Sequence, residues 1–541
     1  MSFSNFTTKI PEIQATDSGF SSAAPSIIDD EFLASFDFNY EGKSSHTLPP
    51  FQSTPEPMSP VPMLDVQTSS DVASQAIPTL IDLLSDEDPF IQNKACNMVL
   101  QLSTEKVSRE TIINSPGMIV ALLEALSKTN DIEIIENGVG ILYNLSEHRQ
   151  GRLTIYKLGG IFELVRMLSC NSESVVHLAI TALHLLLLHQ EGSKEAVRDA
   201  NGLPPLISLL QNQNEQFLSI VTDCIRLLVY GDSESKIIMQ RLGGTTQLLQ
   251  ILQTVSYPNL LWVISNTLKV LSACQENKRT IIENGGLQAL AMHLNTQLDS
   301  HVSNCLFTIR NLSDAAVFQN DLHLLLSNTM DILRFALTDQ VTQENIITCV
   351  AGILSNLTCN VINKQIVRQM GGVELLIGTV IKFGSKEEIT EPAICALRHL
   401  TCRYIEAELA SNAILDCEGL GPIISLLKTN SWPLKKAVVG LLRNLALLDA
   451  NIVPLRDHYA IENLAEVLNE AKIASRSVDL GAGVVPMDAP LIPDPKIEAI
   501  IEEAAATLKI MAKDPLSKHK IQEKSFFFEE FIVDIFNTSI N

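Results

Sequence analysis

Positive charge, aromatic side chains and paired cysteines are all scarce in this chain of 541 residues. Each scarcity removes a class of function. Lysine and arginine number 39 against 62 acidic residues, a net charge of −23, which denies the basic footprint that a nucleic-acid or anionic-membrane binder needs. Aromatics make up 5 % of residues although 46 % are hydrophobic, so the core must be aliphatic, as stacked helices favour. The ten cysteines run from Cys96 to Cys417 with no C-x-x-C pair and no histidine at zinc spacing. They read as reduced core thiols of a cytosolic or nuclear protein rather than as metal ligands. The first residues hold no apolar run of signal-peptide type, and the most apolar stretch, Leu178 to Leu188, is too short to span a bilayer. Walker loops, H-E-x-x-H and G-x-S-x-G are all missing, which predicts a protein without enzymatic activity, cofactor or metal.

What is present is a repeat. Gly160, Gly202, Gly244 and Gly286 recur every 42 residues, and a fifth copy starts 86 residues later at Gly372. Leu164, Leu206, Leu248, Leu290 and Leu376 lie four places on, and Leu168, Leu210, Leu252, Leu294 and Val380 eight places on. Offsets of four and eight mark one face of a helix, and a glycine just ahead of it is expected to make the turn. A period of about 42 residues fits the armadillo or HEAT class, whose units bury their apolar faces only by stacking. The expected fold is therefore all-α, a right-handed armadillo-repeat solenoid of about ten repeats.

The period does not cover the whole chain. Residues 1–72 are rich in Ser, Thr and Pro, with ten acidic residues against two basic through Gln75, and read as a disordered regulatory tail. Residues 73–541 form the array. Residues 474–495, with Gly481, Gly483 and four prolines, read as a flexible insertion, and 525–536 as an amphipathic helix that caps the last apolar face.

Local words within the array are specific. They include Ile141-Leu-Tyr-Asn-Leu-Ser146, Thr308-Ile-Arg-Asn-Leu-Ser313, Ala351-Gly-Ile-Leu-Ser-Asn356, Glu391-Pro-Ala-Ile-Cys-Ala-Leu-Arg-His399 and Gly440-Leu-Leu-Arg-Asn-Leu445. From about Ala76 to Ala512 the chain closely resembles the β-catenin (Armadillo) family. The resemblance implies that the third helix of each repeat lines a groove for long acidic peptides: cadherin tails, T-cell-factor/LEF transcription factors, the adenomatous polyposis coli protein (APC) and axin. It places pairing lysines at Lys269 and Lys364, with Arg310, Asn311, Asn356, Arg398, His399, Arg403 and Lys436 completing the row. Lysines would pair with ligand carboxylates and amides would hold the ligand backbone. Lys269 and Lys364 are two repeats apart, on the order of 20 Å at about 10 Å per helix layer, which an extended ligand crosses in about six residues. The chain departs from the family by one residue fewer between Cys359 and Lys364 and by Leu185 at a groove-asparagine position.

In the tail, Asp17-Ser18-Gly19-Phe-Ser-Ser22 matches the family's phosphodegron. Ser18, Ser22 and Ser26 are spaced by four, as a priming kinase relay requires, and phosphates there would be read by arginines of a ubiquitin-ligase receptor. Asp30 stands where a further priming serine is expected, and Lys9 is the nearest ubiquitin acceptor. The family's α-catenin helix would fall on Thr54–Pro62, where four prolines forbid it. The readings that follow are a Wnt-regulated scaffold of cytoplasm and nucleus, a cadherin-bound junction protein, or a decoy without the activating tail. Nuclear-import carriers need ladders of tryptophan, and only Trp262 and Trp432 exist here.

Overall fold

The computed structural model describes residues 66–524, except 296, 298–299, 339–343, 385, 403 and 478–494. Every described element is helical, in units of two or three helices. The last helix of each unit stacks on its counterpart in the next, giving one continuous row of ten. In chain order the row is Pro89–Thr104, Ile132–Ser146, Glu173–His189, Glu215–Val229, Pro258–Leu271, Ser300–Ser313, Glu344–Leu357, Glu387–Leu400, Trp432–Ala446 and Pro495–Met511. No described helix is long and apolar enough to cross a membrane.

The sequence starts these helices with side-chain caps. Asp88, Asp131, Ser172, Asn214 and Ser431 each accept a hydrogen bond from a backbone N–H of the first turn, satisfying donors that the helix itself leaves open. Along the row the buried face is leucine, isoleucine, valine and alanine. Among the described residues only Phe217, Phe307 and Phe383 bring an aromatic ring into the fully buried core, as the low aromatic content requires.

The periodic glycines do something other than expected. The turn is made one residue earlier, by a left-handed residue at Gly159, Gly243, Gly285 and Gly371 (φ 80°, 74°, 73° and 78°). Elsewhere Asn201, Glu418 and Tyr459 adopt the same conformation at φ 53°, 54° and 64°. The periodic glycine that follows is needed for close approach. A Cβ on Gly286 would lie 2.6 Å from the carbonyl oxygen of Ile281, and one on Gly372 would lie 2.6 Å from that of Val367. Two boundaries also move. Residues 474–477 belong to the helix Ala460–Ser477, and Pro495 opens the helix Pro495–Met511. The regular structure therefore bites into both ends of the expected insertion, because proline is well placed in a first turn. The rest of that insertion, the expected cap at 525–536 and the tail through residue 65 lie outside the described residues.

The two glycines of one turn should respond differently to alanine. At Gly285 a Cβ meets only Gln288 Oε1, in an ordinary contact at 3.9 Å, but φ is 73°, so Gly285→Ala should cost about 1–2 kcal/mol of backbone strain. At Gly286 the clash is with backbone, and Gly286→Ala should cost about as much or more, up to roughly 3 kcal/mol, through overpacking. Urea unfolding midpoints check both; a neutral Gly286→Ala would contradict the close-approach role.

Candidate peptide-binding groove

One position near the C-terminus of the row helix links neighbouring repeats in five places. Asn144 Nδ2 donates to Ser103 Oγ (2.8 Å), Asn311 to Ser272 (2.9 Å), Asn356 to Ser313 (2.9 Å), and Asn444 to Thr401 Oγ1 (3.4 Å) and the Arg398 carbonyl (2.9 Å). His399 takes the same place, with Nδ1 3.2 Å from Thr358 Oγ1 and 3.0 Å from the Ser355 carbonyl. In each case the accepting hydroxyl sits two residues past the equivalent position of the preceding helix and bonds back to its own helix, as Ser272 Oγ does to the Lys269 carbonyl (2.7 Å). An asparagine amide carries two N–H donors and one acceptor. These links use the amide nitrogen, and the carbonyl oxygen of Asn311 is buried without a hydrogen-bond partner. Leu185, Leu227 and Val270 fill this position in three consecutive helices, and the hydroxyl position holds Leu187 and Val229. By the same two-residue offset Leu227 and Val270 correspond to the apolar Leu187 and Val229, whereas Leu185 corresponds to Ser146, whose hydroxyl bonds back to the Tyr143 carbonyl.

The residue one place earlier supplies the cations, and they lie along the row instead of standing away from it. Arg398 crosses Gly440 of the next helix, where a Cβ would collide with its guanidinium (2.6 Å from Cζ). It reaches Glu503 two helices on, Nη2 to Oε1 2.8 Å. Arg310 crosses Gly352 in the same way, its Nε 2.9 Å from where a Cβ would be. Burial raises the pKa of the Glu391 carboxyl beyond it, against the opposing pull of Arg310. Burial pushes the Cys349 thiol up to about 11, although Arg310 and Lys269 both draw it down. Lys269 itself is only 2 % exposed. Toward the N-terminus, His184 Nε2 (2.6 Å) and Arg226 Nε (2.7 Å) grip the two oxygens of Asp223. Burial opposes ionisation of Asp223, but Arg226 and His184 outweigh it and hold its pKa far below the usual carboxylate range.

Lys364 stands on a different element. It belongs to the short helix Val361–Gln369 that follows a row helix, and its Nζ donates to the Cys402 carbonyl (2.9 Å) over the Tyr404 ring. Cys402 follows the C-terminus of Glu387–Leu400, where a cation complements the helix dipole. Lys278, 86 residues earlier on Gln275–Glu283, also reaches the C-terminal end of a row helix, but there it pairs with the Asp314 carboxylate (3.0 and 3.1 Å) instead of a backbone carbonyl. Arg109 and Arg152 donate to the Thr104 and Ser146 carbonyls (both 2.8 Å). The site therefore has two cation rows, one on the long helices and one capping their C-termini. Of the remaining expected residues, Lys436 is half-buried on Trp432–Ala446 and Arg403 lies outside the described residues.

Sequence reasoning missed Lys278, although its distance from Lys364 equals that from Gly286 to Gly372. It also missed Asn444, which its Arg-Asn word signals, and Asn266, a 1 % exposed amide with neither end hydrogen-bonded. Among the described residues no group of three His, Cys, Asp or Glu side chains could hold a metal ion.

His399 is not one of the cations. Burial, then Lys364, lower its pKa to about 4, with Arg398 adding to the effect and the bond to Ser355 opposing it. Unfolded, the ring takes a proton near pH 6.5; folded, it resists until about 4, so stability falls as pH drops through that window. The loss at pH 5 should be about 2 kcal/mol. His399→Asn keeps an amide donor for Thr358 and should remove this part of the pH dependence, read from urea midpoints at pH 7.5 and 5.

The chain is similar to several known proteins. A family profile described as the plant U-box protein ARM repeat region matches residues 60–254. The chain is 48 % identical to catenin beta of Urechis caupo over 84 % of its own length and 55 % of that protein. It is 44 % identical to human junction plakoglobin, over 85 % and 61 %, and 47 % identical to the armadillo segment polarity protein of Drosophila melanogaster, over 86 % and 55 %. It thus spans little more than half the length of these relatives. A solved structure from work on a phosphorylation switch controlling the interaction between cadherin and β-catenin superposes with a TM-score of 0.70 at 32 % identity, over 81 % of each chain. An engineered protein, 19 % identical with a TM-score of 0.53, shares the fold. With its repeat, its amide ladder and these matches taken together, the chain is an armadillo-repeat solenoid and belongs to the β-catenin, plakoglobin and Armadillo family.

Proposed function

We propose that this chain is a non-enzymatic scaffold that holds extended acidic peptides along the row of long helices, a cadherin cytoplasmic tail first among them. The observation that carries this reading is the coincidence, along one continuous row of stacked helices, of the inter-repeat amide ladder and of the cations Lys269 and Arg310 one place before it. Backbone recognition by amides is indifferent to ligand sequence, while the cations select for acidic residues. The cadherin assignment is supported by the solved β-catenin relative, which comes from work on that interaction. T-cell-factor/LEF proteins, APC and axin are acidic ligands of the same kind, and binding them would give the chain a role in Wnt-dependent transcription in cytoplasm and nucleus. The proline run Thr54–Pro62 argues against an α-catenin arm of the family's type.

Lys269→Glu places like charge against a ligand carboxylate and should weaken an acidic cadherin-tail peptide about 30-fold, roughly 2 kcal/mol. Fluorescence anisotropy measures this, with a thermal melt to confirm the variant is folded; affinity within twofold of the parent would remove the groove assignment. Lys364→Glu is the less informative variant, since it also breaks the bond to the Cys402 carbonyl.

Turnover is the second part of the proposal. The motif at Asp17, Ser18, Gly19, Ser22 and Ser26, with Lys9 upstream, is read as a phosphodegron. Ser18→Ala with Ser22→Ala removes the phosphates that receptor arginines would grip. Its half-life in cells with an active degradation pathway should lengthen severalfold in a cycloheximide chase, and an unchanged half-life would refute the degron.

A further inference from the structure

The Arg398–Glu503 pair joins residues 105 positions apart in the chain across two helix layers of the groove row. Both side chains are largely buried, at 10 % and 17 % exposure. Arg398 is confined from below by Gly440, whose missing Cβ is the space the guanidinium fills. Glu503 Oε1 meets Arg398 as a ligand carboxylate would, and its other oxygen, Oε2, is buried without a hydrogen-bond partner. Asp223, gripped by His184 and Arg226, is a second internal carboxylate on the same row. Lys269 and Arg310 lie between the two.

We propose that Glu503 is a specificity-determining residue, an internal competitor that occupies the Arg398 subsite and excludes ligand carboxylates from it. This rests on the reading of the row as an acidic-peptide groove. A ligand that brings a carboxylate to Arg398 must leave Glu503 buried and unpaired, a penalty specific to that subsite. Ligands with acidic residues against Lys269 and Arg310 and an uncharged stretch farther on escape it. The groove therefore prefers peptides whose negative charge is concentrated toward one end, with about nine extended residues separating the Lys269 and Arg398 layers at three helix spacings.

The test is a cycle of variants in the full chain, read by anisotropy with a synthetic cadherin-tail peptide of about 30 residues carrying acidic residues throughout, long enough to span the row. Glu503→Gln keeps size and hydrogen bonding but not charge, and should tighten binding at least fivefold; Glu503→Ala, read in parallel, should do the same. Arg398→Ala should change affinity less than threefold in the parent but abolish the gain in the Glu503→Gln background. If Glu503→Gln and Glu503→Ala leave affinity within twofold or weaken it, while Lys269→Glu still weakens it, the groove stands and the competitor role falls. If the parent does not bind the peptide at all, the groove reading falls and takes the inference with it.

Discussion

Repeat-to-repeat register is the constraint on which the rest of this molecule depends. A helix of the row buries faces against the helices before and after it, so only a narrow stripe is left for recognition. Apolar packing alone tolerates a small slide or rotation of one helix against the next. A hydrogen bond from Asn311 to Ser272 or from Asn356 to Ser313 does not: one residue of slippage rotates the donor by about 100° and moves it about 1.5 Å, breaking the bond. The ladder thus converts stacking into a fixed ruler. The cations one place earlier in each helix inherit its spacing.

That ruler explains why the cations lie flat. Glycine at the same place in successive words, Gly352 and Gly440, opens a notch that the preceding repeat's arginine enters. Side chains that would otherwise sample many rotamers are ordered before any ligand arrives, which lowers the entropy lost on binding. The cost is exposure to internal acids. An arginine laid along the row meets whatever the next helices present, and at Arg398 that is Glu503. Preorganisation and self-neutralisation come from the same geometry.

The period, the helix class and the family were legible because each repeats, and repetition multiplies a weak local signal. The positions of Lys269 and Asn311 near the C-termini of row helices were legible through recurrent words. Other features lie outside what a repeated pattern encodes. The division of labour between Gly285 and Gly286 depends on a backbone angle and on one carbonyl 2.6 Å away. Lys364 falls on a capping helix because three-helix phase within a repeat is invisible to a 42-residue spacing. His399 reads as a cation by residue type, yet burial and Lys364 make it a neutral member of the amide ladder. The Arg398–Glu503 contact spans an irregular segment, where repeat arithmetic gives no distance.

For an acidic chain, the proposed preference for acidic ligands poses an electrostatic problem. At −23 overall, the molecule's distant field repels the peptides that its groove would hold. Screening separates the two scales: at physiological ionic strength the Debye length is about 8 Å, close to one helix layer, so surface carboxylates farther away contribute little. Pairs sheltered from water are screened much less, and Lys269 and the Arg310 guanidinium are sheltered by the row itself. Local cations can then outweigh a larger but remote negative charge. The repulsion that remains falls most heavily on ligands that extend acidic residues beyond the cations, so net charge, like Glu503, acts on the reach of the ligand's charge more than on whether a ligand binds at all.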